Sequence, residues 1–479
     1  MSALRIVRLA NFVAPASGGL RTALRELGKG FLAAGHEPVL VVPGERYDDR
    51  DTEQGRVITL PGPLLPGTGG YRVLTDKRRV AALLEELAPD RLEVSDRTTL
   101  RWTGRWARRA RVPAVMVSHE TADGVLRTWG LSEGMSRRAA DALNARTAHA
   151  YARVVCTTEF AEREFVRIGA TNVVRAPLGV DLTGRHPALR DPGLRDLHAR
   201  VDQRLLVMCS RLSVEKRPGT ALDALEALLR RGERAVLVVA GDGPLRGRLE
   251  QRAAERGLPV TFLGHVADRG LLGALQASAD VCLAPGPAET FGLAALEAMA
   301  CGTPVVASAS SALPEVVGAA GATAADHGEA FADAVAMLLE RPEGERRGAA
   351  RTRAECFGWD AAVAGFLAAH DAGVGGEVPV AVPVPGPVAV EARVRGESPV
   401  AVEPRVRESA VAVESSVRGD VPVRAEHSAR AESPVRAESP VRGDAPGRGD
   451  AVGRGGSPVG TAASVPSVSR VGALREGVS

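Results

Sequence analysis

Apolar positions fall in short, nearly continuous runs of four to eight residues at 3–10, 38–43, 91–95, 113–120 and 154–158, and again at 205–210, 235–241, 260–264, 280–284 and 305–308. Runs of that length, bounded by Gly, Pro or charge, predict strands buried on both faces, as in parallel sheets. Between them lie longer stretches with helical spacing, such as 20–34, 328–339 and 343–355. Strand and helix therefore alternate twice over, which predicts two α/β domains of stacked βαβ units. The first block covers residues 1–183 and the second 204–356, joined by a polar linker at 182–203 that carries Pro187 and Pro192.

From Gly373 onward the pattern is lost. Charged residues recur every six positions (Arg418, Arg424, Arg430, Arg436), and Ala-Glu-Ser-Pro-Val-Arg repeats almost verbatim. Period six is also the mark of a hexapeptide β-helix. Proline in many repeats removes backbone donors, however, and aliphatic positions are too few for a core, so residues 373–479 read as a disordered low-complexity tail.

Composition alters this picture in three places. Aromatics are only 3% of residues and 58 of the 61 basic residues are arginine, so an arginine is weak evidence of function while each of the three lysines carries weight. A net charge of +3 with no basic tract interleaved with aromatics gives no support to nucleic-acid binding. Five scattered cysteines without a Cys-x-x-Cys pair suit a reduced cytosolic core and imply no metal site. The amino terminus lacks a signal-peptide apolar region, and no apolar stretch approaches the roughly 20 residues of a spanning helix.

The most informative stretch is 285–307. Asp280 to Ala284 reads as a strand stopped by Pro285 and Pro287, a helix follows from near Phe291, and Cys301-Gly302 with Pro304 ends it. Glu289 then sits above the strand and Glu297 within the helix, roughly 9 Å further along its axis at ~1.5 Å per residue. Between them the helix amino terminus at Phe291, Gly292 and Leu293 favours an anion. Carboxylate, anion site and carboxylate in a row match a ligand with hydroxyls at both ends and phosphate in the middle, the layout of a nucleotide sugar. Two glutamates eight apart are equally compatible with ordinary helix-surface residues; the full string Glu-Thr-Phe-Gly-Leu-Ala-Ala-Leu-Glu-Ala-Met-Ala-Cys-Gly-Thr-Pro is far more specific.

Other candidates lie at predicted strand ends, where open α/β sheets bind ligands. Gly18 and Gly19, following Ser17, succeed the first strand, and His119 stands at the carboxyl tip of the strand at 113–120. Arg211 and Lys216 follow the first strand of the second block, placed to grip a diphosphate. Asp49 and Asp51 form an Asp-x-Asp pair of the kind that holds a divalent metal, yet Asp48-Asp49-Arg50-Asp51 reads more simply as a solvated loop. A helix at 71–87 carries Lys77, Arg78 and Arg79. Another contains five arginines between 101 and 111 around Trp102 and Trp106, which share one face and either pack on the sheet or anchor the helix in an anionic membrane interface.

The 285–307 string resembles the signature of retaining glycosyltransferases of the Glu-x7-Glu family (glycosyltransferase family 4), whose GT-B fold sets two facing Rossmann-like domains around a cleft. Arg211-Leu212-Ser213-Val214-Glu215-Lys216 resembles the family's Gly-Arg-Leu-x-x-x-Lys motif, with Ser210 in place of glycine, and Pro177 to Asp181 resembles its exit toward the linker. The resemblance covers residues 3–372. It implies an acceptor-side first domain, a nucleotide-sugar-binding second domain, and a last helix at 357–372 that returns to the first. It further implies that Gly18 and Gly19 face the donor diphosphate and that Arg211 and Lys216 grip it. Glu289 would bind the donor sugar, Glu297 the ribose, and the backbone at Val266 the base, with His119 on the sugar and acceptor side. Ser17 to Ala23, Leu92 to Arg97, Val154 to Thr158 and Ala284 to Pro287 look most like the GDP-mannose-dependent phosphatidylinositol mannoside mannosyltransferases. The expected enzyme transfers a hexose from a nucleotide sugar to a glycolipid at an anionic membrane surface, needs no metal or cofactor, and is cytoplasmic, peripheral on the inner face of the plasma membrane. The competing expectations are UDP-sugar transfer to a soluble acceptor such as inositol phosphate, and a non-catalytic scaffold whose tail recruits partners.

Overall fold

The structure is a computed structural model that describes residues 3–13, 18–65, 70–128 and 130–371. The expected tail at 373–479 and Ser17 lie outside the described residues.

Within them the chain builds two sheets. The first comprises β1 (Arg5–Leu9), β2 (Glu37–Gly44), β3 (Asp48–Thr52), β4 (Gly55–Pro61), β5 (Arg91–Val94), β6 (Ala114–Ser118), β7 (Arg153–Cys156) and β8 (Val173–Arg175), ordered β3-β4-β2-β1-β5-β6-β7-β8. All its neighbours run parallel except β3, which is antiparallel to β4. The second comprises β9 (Arg204–Cys209), β10 (Ala235–Ala240), β11 (Val260–Gly264), β12 (Val281–Ala284), β13 (Val305–Ser308) and β14 (Ala322–Ala324), ordered β11-β10-β9-β12-β13-β14 and parallel throughout.

The helices of the first domain are α1 (Gly19–Ala33), α2 (Lys77–Leu87), α3 (Thr103–Ala110), α4 (Ala122–Thr128), α5 (Glu133–Ala150) and α6 (Glu159–Val166). After α7 (Pro192–His198) the second domain adds α8 (Pro218–Arg230), α9 (Arg246–Glu255), α10 (Arg269–Ser278), α11 (Leu293–Ala300), α12 (Leu313–Val317), α13 (Gly328–Glu340) and α14 (Glu343–Glu355). Finally α15 (Trp359–Asp371) crosses back to pack on α1, where a Cβ on Gly30 would fall 2.1 Å from Val363.

Several local expectations need correction. Asp48 to Asp51 is not a loop but most of an edge strand, held to β4 by backbone bonding while its side chains stay outside the core. The helix expected from Tyr71 begins at Lys77, because the Asp76 carboxylate caps it by accepting from the Arg78 and Arg79 amides at 3.1 Å each. The helix expected from Phe291 begins at Leu293. Gly292 is left-handed, at φ 76°, and a Cβ there would lie 2.3 Å from Leu313 Cδ2, so the chain turns before it coils. Trp102 and Trp106 are half-buried, packed against the core of the first sheet.

In each sheet the chain reverses its direction of winding at one strand pair, between β1 and β5 in the first and between β9 and β12 in the second. The loops leaving those strands open a crevice. The two crevices face each other. The chain passes between domains twice, and the passes bond to one another: the Val180 amide donates to the Phe357 carbonyl at 2.8 Å, and Gly179 leaves room for Trp359, whose backbone lies 2.6 Å from where a Cβ would be.

Candidate active site

Gly18, at φ 128°, turns the chain from β1 into α1. A Cβ on Gly19 would stand 3.7 Å from Leu293 Cδ1, so the glycine pair and the amino terminus of α11 confront each other across the cleft. That terminus offers free backbone donors and a positive dipole end. The Phe291 ring turns away from it into the core, edge-on to Phe357 at 5.9 Å, so only the Phe291 backbone faces the cleft.

Lys216 ends a 3-10 turn over Val214–Lys216 that follows β9. Its Nζ lies 2.5 Å from Glu289 Oε1, with both side chains about three-quarters buried (26% and 23% exposed). Burial works to lower the ammonium's pKa, but Glu289 outweighs it and the pKa is raised, so Lys216 stays charged. Gly286 packs directly on the Lys216 backbone, which sets the two loops in register. Arg211 projects its guanidinium over the Tyr71 ring of the other domain, 5.1 Å from the centroid.

His119 stands at the carboxyl end of β6 with Nε2 3.1 Å from Ser95 Oγ. Its carbonyl accepts from the Thr290 hydroxyl, and the Thr290 carbonyl accepts from Thr158 Oγ1 at 2.9 Å, so one residue beside Glu289 ties two loops of the opposite domain. Burial pushes the imidazole pKa down to about 4, with Glu93 opposing and Arg8 and Arg97 assisting. His119 is therefore neutral near pH 7. Its loop is clamped from behind by a buried pair. Arg97 donates to Ser118 Oγ and to the Glu120 carbonyl, and lies 3.4 Å from Glu164, which accepts from the Ala122 and Asp123 amides at 2.9 and 2.8 Å.

Glu297 lies on α11 beside a cavity of about 260 Å³ that also borders Thr22, Glu26, Arg185, Arg269 and Trp359. Arg185 Nη2 is 4.0 Å from Glu297 Oε2, and burial raises the carboxyl pKa with Arg185 opposing. Arg269 Nη1 reaches Glu26 Oε1 across the cleft at 4.0 Å. Val266, past the end of β11, is half-buried against the main core and does not border this cavity.

The structure thus brings together Gly18, Gly19, His119, Arg211, Lys216, Glu289, Gly292, Leu293 and Glu297 along one cleft. Lys77, Arg78 and Arg79 are exposed on the first turn of α2, outside it. Asp49 is engaged by Arg56 through two bonds of 2.9 and 2.7 Å. Sequence reasoning passed over Arg185, which sits in the segment read as linker yet is only 5% exposed, and Tyr71, whose one signal is that aromatics are so rare here.

Residues 194–355 match the family model described as Glycosyl transferases group 1, and residues 18–179 match the Glycosyl transferase 4-like domain. Over 370 residues the chain is 52% identical to the GDP-mannose-dependent alpha-(1-6)-phosphatidylinositol dimannoside mannosyltransferase of Mycobacterium tuberculosis, covering 76% of this chain and 95% of that protein. It is 36% identical over 228 residues to the D-inositol 3-phosphate glycosyltransferase of Saccharomonospora viridis, covering 43% and 52%. Among solved structures, sucrose-phosphate synthase from Thermosynechococcus elongatus superposes with a TM-score of 0.61 at 23% identity, covering 76% of this chain and 97% of that one, a likeness of fold alone.

Proposed function

The chain belongs to the group 1 glycosyltransferases, and from that premise we propose that it moves mannose, with retention, from GDP-mannose onto a phosphatidylinositol mannoside. The observation that carries this choice of donor and acceptor is the 52% identity, along 95% of its length, to the mycobacterial dimannoside mannosyltransferase.

In this reading Arg211, Lys216 and the amides at the start of α11 hold the donor diphosphate. Glu289 exchanges its ion pair with Lys216 for hydroxyls of the mannose, and Glu297 binds the ribose in the cavity it borders. An acceptor hydroxyl attacks the anomeric carbon on the face that the β-phosphate leaves. As the new C–O bond forms and the sugar–phosphate bond breaks, a phosphate oxygen takes the acceptor proton and GDP departs. No enzymic nucleophile is required, so catalysis is orientation and charge stabilisation. Neutral His119, held by Ser95, hydrogen-bonds sugar or acceptor hydroxyls without adding charge to the cleft.

No helix among the described residues is long and apolar enough to cross a membrane. Lys77, Arg78 and Arg79 occupy the first turn of α2, where the helix dipole disfavours cations. Arg79 also stacks over the Tyr47 ring, 5.6 Å from its centroid, while Lys77 and Arg78 are exposed. The exposed side chains fit a basic patch that meets an anionic bilayer, where each basic residue contributes about 1 kcal/mol.

The test pairs donors with acceptors: labelled GDP-mannose or UDP-glucose, with phosphatidylinositol dimannoside in anionic vesicles or free inositol phosphate. Mannose transfer to the lipid is expected. Transfer only from UDP-glucose to inositol phosphate overturns the reading. Charge reversal at residues 77–79 should lower vesicle binding and lipid turnover while leaving GDP affinity unchanged, and unaltered vesicle binding would remove the patch from the mechanism.

A further inference from the structure

Tyr71 lies on the connection between β4 and α2 and belongs to none of the motifs that mark the donor site. Its carbonyl accepts from the Leu65 amide at 2.9 Å, and three residues later the Leu74 amide donates to Asn11 Oδ1 at 2.8 Å. Asn11 is itself held by Asp96 Oδ2 at 3.0 Å. Phe12, next in the chain, takes a left-handed φ of 57°, uncommon for a bulky residue, and sets its ring edge-on to Tyr71 at 6.1 Å and 80°. The end of β1 therefore holds the loop that carries Tyr71 through Asn11 and packs on its ring through Phe12. On its outward side the ring meets the Arg211 guanidinium of the other domain.

We propose that Tyr71 is a positioning residue for the transfer reaction, acting through Arg211, and that it couples closure of the cleft to the grip on the donor diphosphate. A guanidinium stacks on an aromatic ring through its face and hydrogen-bonds through N–H groups in its own plane. Stacking on Tyr71 and binding of phosphate oxygens are therefore compatible, and the first orients the second. The ring belongs to the acceptor-side domain and the cation to the donor-side domain, so the platform is complete only when the two are together. This inference rests on the reading of Arg211 as a diphosphate ligand.

The test uses the full chain with Tyr71→Phe, Tyr71→Leu, Arg211→Ala and the Tyr71→Leu/Arg211→Ala double variant. Turnover, melting temperature, and affinity for GDP and for GMP, which lacks the second phosphate, are measured for each. Tyr71→Phe keeps the ring and should stay within about twofold of native. Tyr71→Leu should weaken GDP binding and turnover about tenfold, the effect of losing a partly desolvated cation–π contact, with GMP affinity unchanged. In the Arg211→Ala background the same leucine should cost nothing further in GDP affinity. Equal loss of GDP affinity in both backgrounds, or equal weakening of GDP and GMP, overturns the proposal. Native GDP affinity and turnover in Arg211→Ala instead overturns the diphosphate reading beneath it. If the native protein binds UDP and not GDP, the choice of donor fails first, and the same comparison with UDP and UMP then decides the role of Tyr71.

Discussion

Replacing Lys216 with alanine removes the charge that the second domain presents between Glu289 and the donor diphosphate, and the structure separates two consequences of different size. The first is on stability. The Lys216–Glu289 pair is about a quarter exposed on each side and therefore partly screened. Such a pair contributes about 1 kcal/mol, and leaving Glu289 unpaired adds an amount of the same order. At about 2–4 °C per kcal/mol for domains of this size, the melting temperature should fall by a few degrees. The second is on turnover. Loss of one preorganised charge stabiliser costs roughly 3–4 kcal/mol in the transition state, about 10²–10³ in kcat.

The catalytic loss should exceed the stability loss by more than any partial unfolding at the assay temperature explains. The assay is mannose transfer under saturating donor, read beside a thermal melt of the same preparation. Glu289→Gln supplies the control, because it leaves the ammonium in place and removes the carboxylate's charge. The double variant should lose less than the sum of the two singles, since the residues act as a unit. If Lys216→Ala melts a few degrees lower but turns over within about threefold of native, Lys216 is a structural partner of Glu289 and the diphosphate grip lies elsewhere.

Three further outcomes are expected. With Arg211, Lys216 and the α11 terminus supplying positive charge, transfer should survive EDTA; abolition by EDTA with rescue by manganese would bring Asp49 and Asp51 back into consideration. His119 has its pKa depressed to about 4 in the folded state against an ordinary 6.5, so the unfolded chain takes up a proton first as pH falls. Its contribution to stability is thus complete above pH 6.5 and lost progressively toward pH 4, and His119→Asn should flatten the slope of melting temperature between pH 6.5 and 5. Truncation after Asp371 should leave melting temperature and turnover on a soluble acceptor unchanged, because a proline-punctuated polyampholyte buries too little apolar area to offset its ordering entropy; a drop of several degrees would show that the tail docks.

The apolar runs marked ten of the fourteen strands among the described residues, since strands buried on two faces announce themselves by continuity, and left out β3, β4, β8 and β14. Two of the misses have a plain physical reason. β3 is charged and largely exposed, an edge strand that the backbone holds without help from its side chains. α5 buries Ser136, Ala140, Asn144, Thr147 and Ala150, a face of small and polar residues that carries no hydrophobic period. The residues of the cleft were legible because rarity and strand-end position single them out, as with Lys216 and His119. Arg185 was not, because one arginine among 58 has no distinguishing mark until the fold buries it beside Glu297.

The contacts that close the cleft differ in kind from those that hinge it, and the difference bears on how the enzyme works. At the hinge a backbone bond joins Val180 to Phe357, Trp359 crosses closely over Gly179, and the ring of Phe357 packs on Phe291 at the root of α11. Farther along α15, His370 lies 3.1 Å from Glu93, which pairs in turn with Arg8 at 2.8 Å, all three side chains at most 2% exposed. Breaking such a buried pair by removing one partner costs about 3–5 kcal/mol. At the cleft mouth, by contrast, the ties include the Thr290 and Thr158 hydroxyl bonds, the Glu159 amide on Glu315 at 3.0 Å, the Arg211–Tyr71 stacking and the long Arg269–Glu26 approach. Each is a contact worth about 1 kcal/mol that water can replace. The mouth ties are individually weak, while the crossings at 179–181 and 357–359 are bonded to each other and α15 is pinned to the first domain, so the domains should swing about those two crossings. The Thr290 hydroxyl, next to Glu289, bonds the His119 carbonyl, and Arg269 and Glu26 border the same cavity as Glu297, so these closing contacts are made beside the residues of the site.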